Sequence, residues 1–271
     1  DSLTTGTHNT AAGANSLTAV TDGVRNTASG FDAGALIAGG DDNVAIGYQA
    51  LDAVTTQDQN TAVGSGALGA NAASGNTAFG YNALLLNSSG TGNTSVGTAA
   101  LDAITTSSNA TAIGAGALGA NTAAGNTAVG FNAGLLISSG TGHTAVGSTA
   151  LDAMTTGLNN TAVGTAALSA ATGDNNTGIG FNAGLLLDSA SSNVAIGAFA
   201  LDADVTGSAC VAVGVNALGA CTGASNTAVG TTAGAGIVAG TVNVAVGASA
   251  LAASTGSDNV AVGGQALGGA S

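Results

Sequence analysis

The amino-acid sequence predicts an all-β fold, a single parallel β-solenoid of about sixteen stacked coils of 16–17 residues. Three observations carry that expectation. An Asn-Thr-Ala-Val-Gly pentad recurs sixteen times, the glycine closing it never varies, and successive closing glycines lie 16 or 17 residues apart throughout. Self-similarity at a short fixed period marks a repeat architecture, in which one unit cannot bury its apolar face alone and stacking supplies the core.

Composition agrees with the repeat. Only 6% of the 271 residues are charged, with no Lys, no Glu and Arg25 as the one Arg, alongside 46 Gly and no Pro. An ordinary globular domain is about one quarter charged. Disorder would require high charge or abundant Pro, whereas the mean hydropathy here is +0.43. Helical repeats are disfavoured because each glycine costs about 1 kcal/mol relative to alanine in a helix. The net charge of −13 excludes a phosphate-tracking groove and hence nucleic acid as a partner. No apolar run approaches the roughly 18 residues of a membrane-spanning helix, so no transmembrane segment is expected.

In chain order, residues 1–8 (DSLTTGTH) match DAMTTGLN at 152–159 and form a partial coil. Residues 9–42 hold two degenerate coils, with Ala12 and Ser29 where later coils carry Val, Ile or Phe. Residues 43–258 are the regular coils, and 259–271 an incomplete last one, so the expectation is one continuous solenoid over 1–271. From Gly30 the glycine spacings run 17, 17, 16, giving a 50-residue unit of three coils that breaks register only at the end. Open solenoid ends expose unpaired strand edges, which predicts a longer fibre or end-to-end filaments.

Each pentad position receives a role. The coil at Asn60, Thr61, Ala62, Val63, Gly64, Ala67 and Leu68 is representative. Side chains alternate across a strand, so positions two and four share a face and position three takes the other. The β-branched Thr/Val at two and Val/Ile/Phe at four are expected inside. Position three, small in every coil, is then expected outside, as a smooth strip for another chain at Ala62, Ala128, Ala145 and Ala162. The closing glycine, as at Gly130, Gly147 and Gly164, reads as a corner with unusual φ or close coil approach. Ala67 and Leu68 and their equivalents fill the interior. Asn at position one, in thirteen of sixteen coils, reads as an amide ladder along one edge.

The pentad followed by xxAL resembles the head repeats of YadA-like trimeric autotransporter adhesins, the haemagglutinin-repeat β-roll, and related NTAVGxxAL arrays of tail-fibre-like proteins. The resemblance covers Asn9 to Leu267. It implies a left-handed β-roll, homotrimeric association, and exposure on a cell surface or virion fibre, with a cell-surface receptor or matrix among the partners.

Sites of chemistry are sparse. The Asp of the LDA triplets (Asp52, Asp102, Asp152, Asp202) recur three coils apart, about 14 Å by strand spacing, too far to share one cation. They read as solvated turn residues. Asp41 with Asp42 and Asp202 with Asp204 are the tight acidic pairs, without other groups converging on them. His143 reads as a turn substitution. Cys210 and Cys221 share one coil and are either a disulfide or two thiols. No catalytic, cofactor or metal residues are expected. The leading functional expectation is a structural or adhesive shaft or head of an extracellular fibre. The alternative is ice binding through a Thr/Asn ladder, which requires the threonines outside, against the alternation argument above.

Overall fold

The computed structural model describes residues 5–203, 206–253 and 255–269. Asp204, and the start of the 1–8 partial coil, lie outside the described residues. The protein is an all-β parallel β-solenoid of three-residue strands, with no helix among the described residues. It follows that none of these residues forms a helix long and apolar enough to cross a membrane.

The chain divides into two compact units, Asp1–Asn132 and Ala133–Ser271. The first holds β1 (Thr10–Ala12), β2 (Thr27–Ser29), β3 (Val44–Ile46), β4 (Thr61–Val63), β5 (Thr77–Phe79), β6 (Thr94–Val96), β7 (Thr111–Ile113) and β8 (Thr127–Val129). The second holds β9 (Thr144–Val146), β10 (Thr161–Val163), β11 (Thr177–Ile179), β12 (Val194–Ile196), β13 (Val211–Val213), β14 (Thr227–Val229), β15 (Val244–Val246) and β16 (Val260–Val262). Within each unit every strand pairs in parallel with the next, position for position: Thr61 opposite Thr77, Val163 opposite Ile179.

The alternation is as expected but its phase is reversed. Position three is the buried one: Ala62, Ala128, Ala145 and Ala162 are all fully buried, so they form no exposed strip for another chain. Thr61 and Val63 on either side are part-exposed, and Phe79 is 56% exposed. The reason is the width of the interior. A β-carbon at Gly178, the one glycine at position three, would lie 2.7 Å from Leu168 Cγ. The leucine that follows Ala67, Ala167 and their equivalents is turned inward by a left-handed backbone (φ 51° at Leu68, 50° at Leu168). It fills the space opposite the strand, so a side chain much larger than that of Ser has no room at position three. Where glycine replaces that leucine, a longer residue three positions on compensates: Ile37 after Gly34, Leu187 after Gly184, Ile237 after Gly234, all fully buried or nearly so.

The closing glycine meets both of its expected demands. At Gly164 φ is +133°, and a β-carbon would lie 2.4 Å from the Gly180 carbonyl oxygen of the next coil. Neither strain nor clash can be relieved by a side-chain movement, because the obstacle is backbone.

The asparagine ladder runs through the interior rather than along an edge. Asn26, Asn43, Asn60, Asn76, Asn160, Asn176 and Asn193 are fully buried. Each joins two coils: the backbone N–H of Asn60 donates to Asn43 Oδ1 at 3.0 Å, and Asn43 Nδ2 donates to the Gln57 carbonyl at 2.8 Å. A buried amide is tolerated only when its donors and acceptors are met, and here the stack meets them.

Candidate interaction surface

The reversed phase places a broad uncharged face on the outside of each unit. In the first, position two presents threonine at every strand except Val44, and position four presents Ile46, Val63, Phe79, Val96, Ile113 and Val129 from the third coil on. Ile46 and Ile113 are each 41% exposed. In the second unit, Thr144, Thr161, Thr177 and Thr227 share position two with Val194, Val211, Val244 and Val260, beside Val163, Ile179, Ile196, Val229 and Val246. Strand geometry sets about 4.8 Å between rungs and about 6.6 Å between the two columns.

No charged residue occupies positions two to four of any coil. Among the described residues, the hydroxyls of the strand threonines make no hydrogen bond to protein, so they are turned to solvent. From the third coil on, an aliphatic or aromatic column thus runs beside a column of Thr and Val that offers hydroxyls at the threonine rungs.

The aromatic residues extend this face. All seven lie at position four or within two residues after the closing glycine, and Phe31, Tyr48, Phe79, Tyr81, Phe131 and Phe181 are exposed. Phe31 stacks on Tyr48 with centroids 5.7 Å apart, and Phe181 meets Phe199 edge-on at 5.2 Å. An interior packed with Ala and Leu has no space for a ring, so the rings are displaced outward. Of the seven, Phe79 at position four is the one that the expected phase would have placed inside.

A second ladder, unnoticed in the sequence, runs along the turn before the asparagines. The Asp41 backbone N–H donates to Asp58 Oδ1 at 2.8 Å, and the Asp58 N–H donates to Ser74 Oγ at 3.0 Å. In the second unit the Leu158 N–H donates to Asp174 Oδ1 at 2.8 Å and the Asp174 N–H to Ser191 Oγ at 3.0 Å. The signal was an Asp or Ser recurring two residues before the pentad. Of the acidic pairs, Asp42 is held by Arg25 through Nε at 2.5 Å and Nη2 at 2.7 Å. That hydrogen bond pulls the Asp42 carboxyl below its ordinary value.

The LDA aspartates lie in turns, as expected, and are part-buried there. Burial raises the pKa of Asp52, Asp102 and Asp202. Among the described residues, no group of three or more His, Cys and Asp is placed to hold a metal.

His143 is not a turn residue. It occupies the interior asparagine position, 1% exposed, and its Nδ1 accepts from the Asn160 backbone N–H at 3.2 Å, the bond an asparagine Oδ1 makes elsewhere. Burial pushes its pKa down, opposed by backbone hydrogen bonds with Gly157 and Asn160. Cys210 takes the same ladder position, and Cys210 and Cys221 are buried as thiols, not joined in a disulfide. Their sulfurs lie 3.2 and 3.4 Å from the Gly223 carbonyl oxygen.

Compared with known families and with curated proteins, the chain matches no family model and no curated sequence.

Proposed function

We propose that the chain is a structural component of an extracellular fibre, non-catalytic, which associates with copies of itself through its strand face. The observation that carries this reading is the charge-free strip of exposed and part-exposed aliphatic and aromatic side chains that position four presents from the third coil on, in a chain with net charge −13. Continuous exposed apolar surface marks interaction sites. Two such acidic chains repel over most of their surface, so an uncharged face is where copies can approach. The likeness of the pentad to adhesin head repeats and tail-fibre arrays supports both the self-association and the location outside the cell.

Mass measurement under native conditions tests this. The expected result is an oligomer that dissociates when Val163→Lys and Ile179→Lys are introduced together, with the strand content of the fold retained. A monomer at every concentration contradicts it.

A second reading is favoured by one specific observation: the threonine ladder faces outward. A regular, uncharged array of hydroxyls and methyls can order water, so ice binding regains the geometry it requires. Thermal hysteresis separates the two, since a face buried between copies produces none.

A further inference from the structure

In the first unit an open hollow of about 260 Å³ lies over the turns that follow β3, β4 and β5, lined by Gln49, Asp52, Gly66, Gly69, Leu85 and Leu86 among others. Its origin is legible coil by coil. The coil beginning at Asn60 carries glycine at both 66 and 69, between a coil that presents Gln49 and Asp52 and one that presents Leu85 and Leu86. With no side chain at Gly69, the space next to it is bounded by Leu85 Cδ1 and Asp52 Oδ1, which a β-carbon there would approach to 3.1 and 3.7 Å. The walls are thus apolar on one side and anionic on the other.

The second unit contains the filled version of the same arrangement. Ser169 stands where Gly69 does, and its hydroxyl donates to the Asp152 carboxylate. Among the described residues Asp52 has no such side-chain donor: its carboxylate is supported by its own backbone N–H, is part-buried, and lies near enough to Asp32 to feel its charge. The structure therefore holds a part-buried carboxylate, with Asp32 as a like charge nearby, at the rim of a hollow whose opposite wall is apolar.

We propose that this hollow binds the side chain of a lysine from a partner protein, its methylenes over Leu85 and Leu86 and its ammonium on Asp52 and Gln49. A long aliphatic stem with a charged tip matches an apolar wall ending in a carboxylate. An ammonium, as a compact point charge, suits a single carboxylate better than a planar guanidinium does. The chain itself has no lysine, and its one arginine is engaged by Asp42. A partner protein is therefore the source proposed for the cation.

The test is methyl NMR of the intact chain titrated with n-butylammonium chloride, a lysine side-chain analogue, against matched sodium chloride. Assignments come from Leu85→Ile, Leu86→Ile, Leu185→Ile and Leu186→Ile. The expected result is a saturable shift of the Leu85 and Leu86 methyls with butylammonium alone, and silence at Leu185 and Leu186, where Ser169 already occupies Asp152. Asp52→Asn and Gly69→Ser should each weaken the response at least about tenfold, the scale of a lost charge pair. Gly69→Ser copies a residue the repeat already carries at 169, so its loss of binding cannot be ascribed to misfolding if the spectrum is otherwise unchanged. Equal shifts at all four leucines, equal shifts with sodium chloride, or undiminished binding in Gly69→Ser would show only diffuse attraction to an acidic surface and overturn the proposal.

Discussion

The backbone N–H of Asn193 donates to the side-chain Oδ1 of Asn176 at 3.0 Å, while Asn176 Nδ2 donates to the Ala190 carbonyl at 2.8 Å. One buried amide thus satisfies a donor and an acceptor of the following coil. Asn176→Ala removes both bonds and leaves two buried backbone groups unmet. Unfolding in denaturant should show a loss on the order of 3 kcal/mol, at about 1–3 kcal/mol per unsatisfied group. A loss under about 0.5 kcal/mol, the size of an ordinary surface substitution, would mean the ladder is ornamental.

Gly164 and Gly75 both have positive φ, yet only one is hemmed in. At Gly164 the next coil's backbone stands 2.4 Å from a notional β-carbon, while nothing lies within 4 Å of that position at Gly75. Gly164→Ala should therefore prevent stable stacking at its coil. Gly75→Ala should cost only the left-handed penalty, about 1–2 kcal/mol, and Gly75→Asn less, since asparagine tolerates that conformation and stands in it at Asn109 and Asn175. Thermal melting of the three variants checks the order.

His143 makes stability depend on pH. Its folded pKa lies below its ordinary value of 6.5, because burial disfavours the cation. The unfolded chain therefore takes up the proton first as pH falls. The stabilisation is complete above about pH 6.5 and is lost progressively below it, at no more than about 1.4 kcal/mol per pH unit. His143→Asn, which restores the usual ladder residue, should remove this contribution. Denaturant midpoints at pH 7.5, 6 and 5 for both chains measure it.

Asp52 acts with the opposite sign. Its folded pKa is raised by burial, so the stability it contributes is complete below its ordinary value of 3.8 and is lost as pH rises through the folded value. At neutral pH, Asp52→Asn should leave the chain slightly more stable, and at pH 3 the two should match. Melting temperatures at the two pH values decide this.

Much of the fold was legible because the residues that enforce it admit few substitutes. Gly164 and its equivalents announced a corner, and Ala67 and Leu68 announced a narrow interior. The strand faces were misread because a period of two fixes which residues share a side but not which side is inward. Thr61 and Val63 are typical of a β core, and Ala62 is unremarkable on a surface, so residue type alone pointed the wrong way. The deciding fact was the space available, set by the inward turn of Leu68 at φ 51°, a conformation rarely adopted by leucine. Two hints were present: position three never exceeds serine in size, whereas position four admits Phe79. The Asp52 hollow was not legible, because it depends on glycines at 66 and 69 meeting side chains from two other coils.

Thiol labelling of Thr161→Cys, Val163→Cys and Ala162→Cys reads the outward strand face and its role in association together, since the native Cys210 and Cys221 are buried. Cysteines at 161 and 163 should react rapidly in dissociated chains and slowly in the assembled state, while the cysteine at 162 stays protected in both. Rapid labelling at 162 with protection at 161 and 163 in dissociated chains would contradict the outward strand face. Unchanged labelling at 161 and 163 on assembly would contradict its role in association.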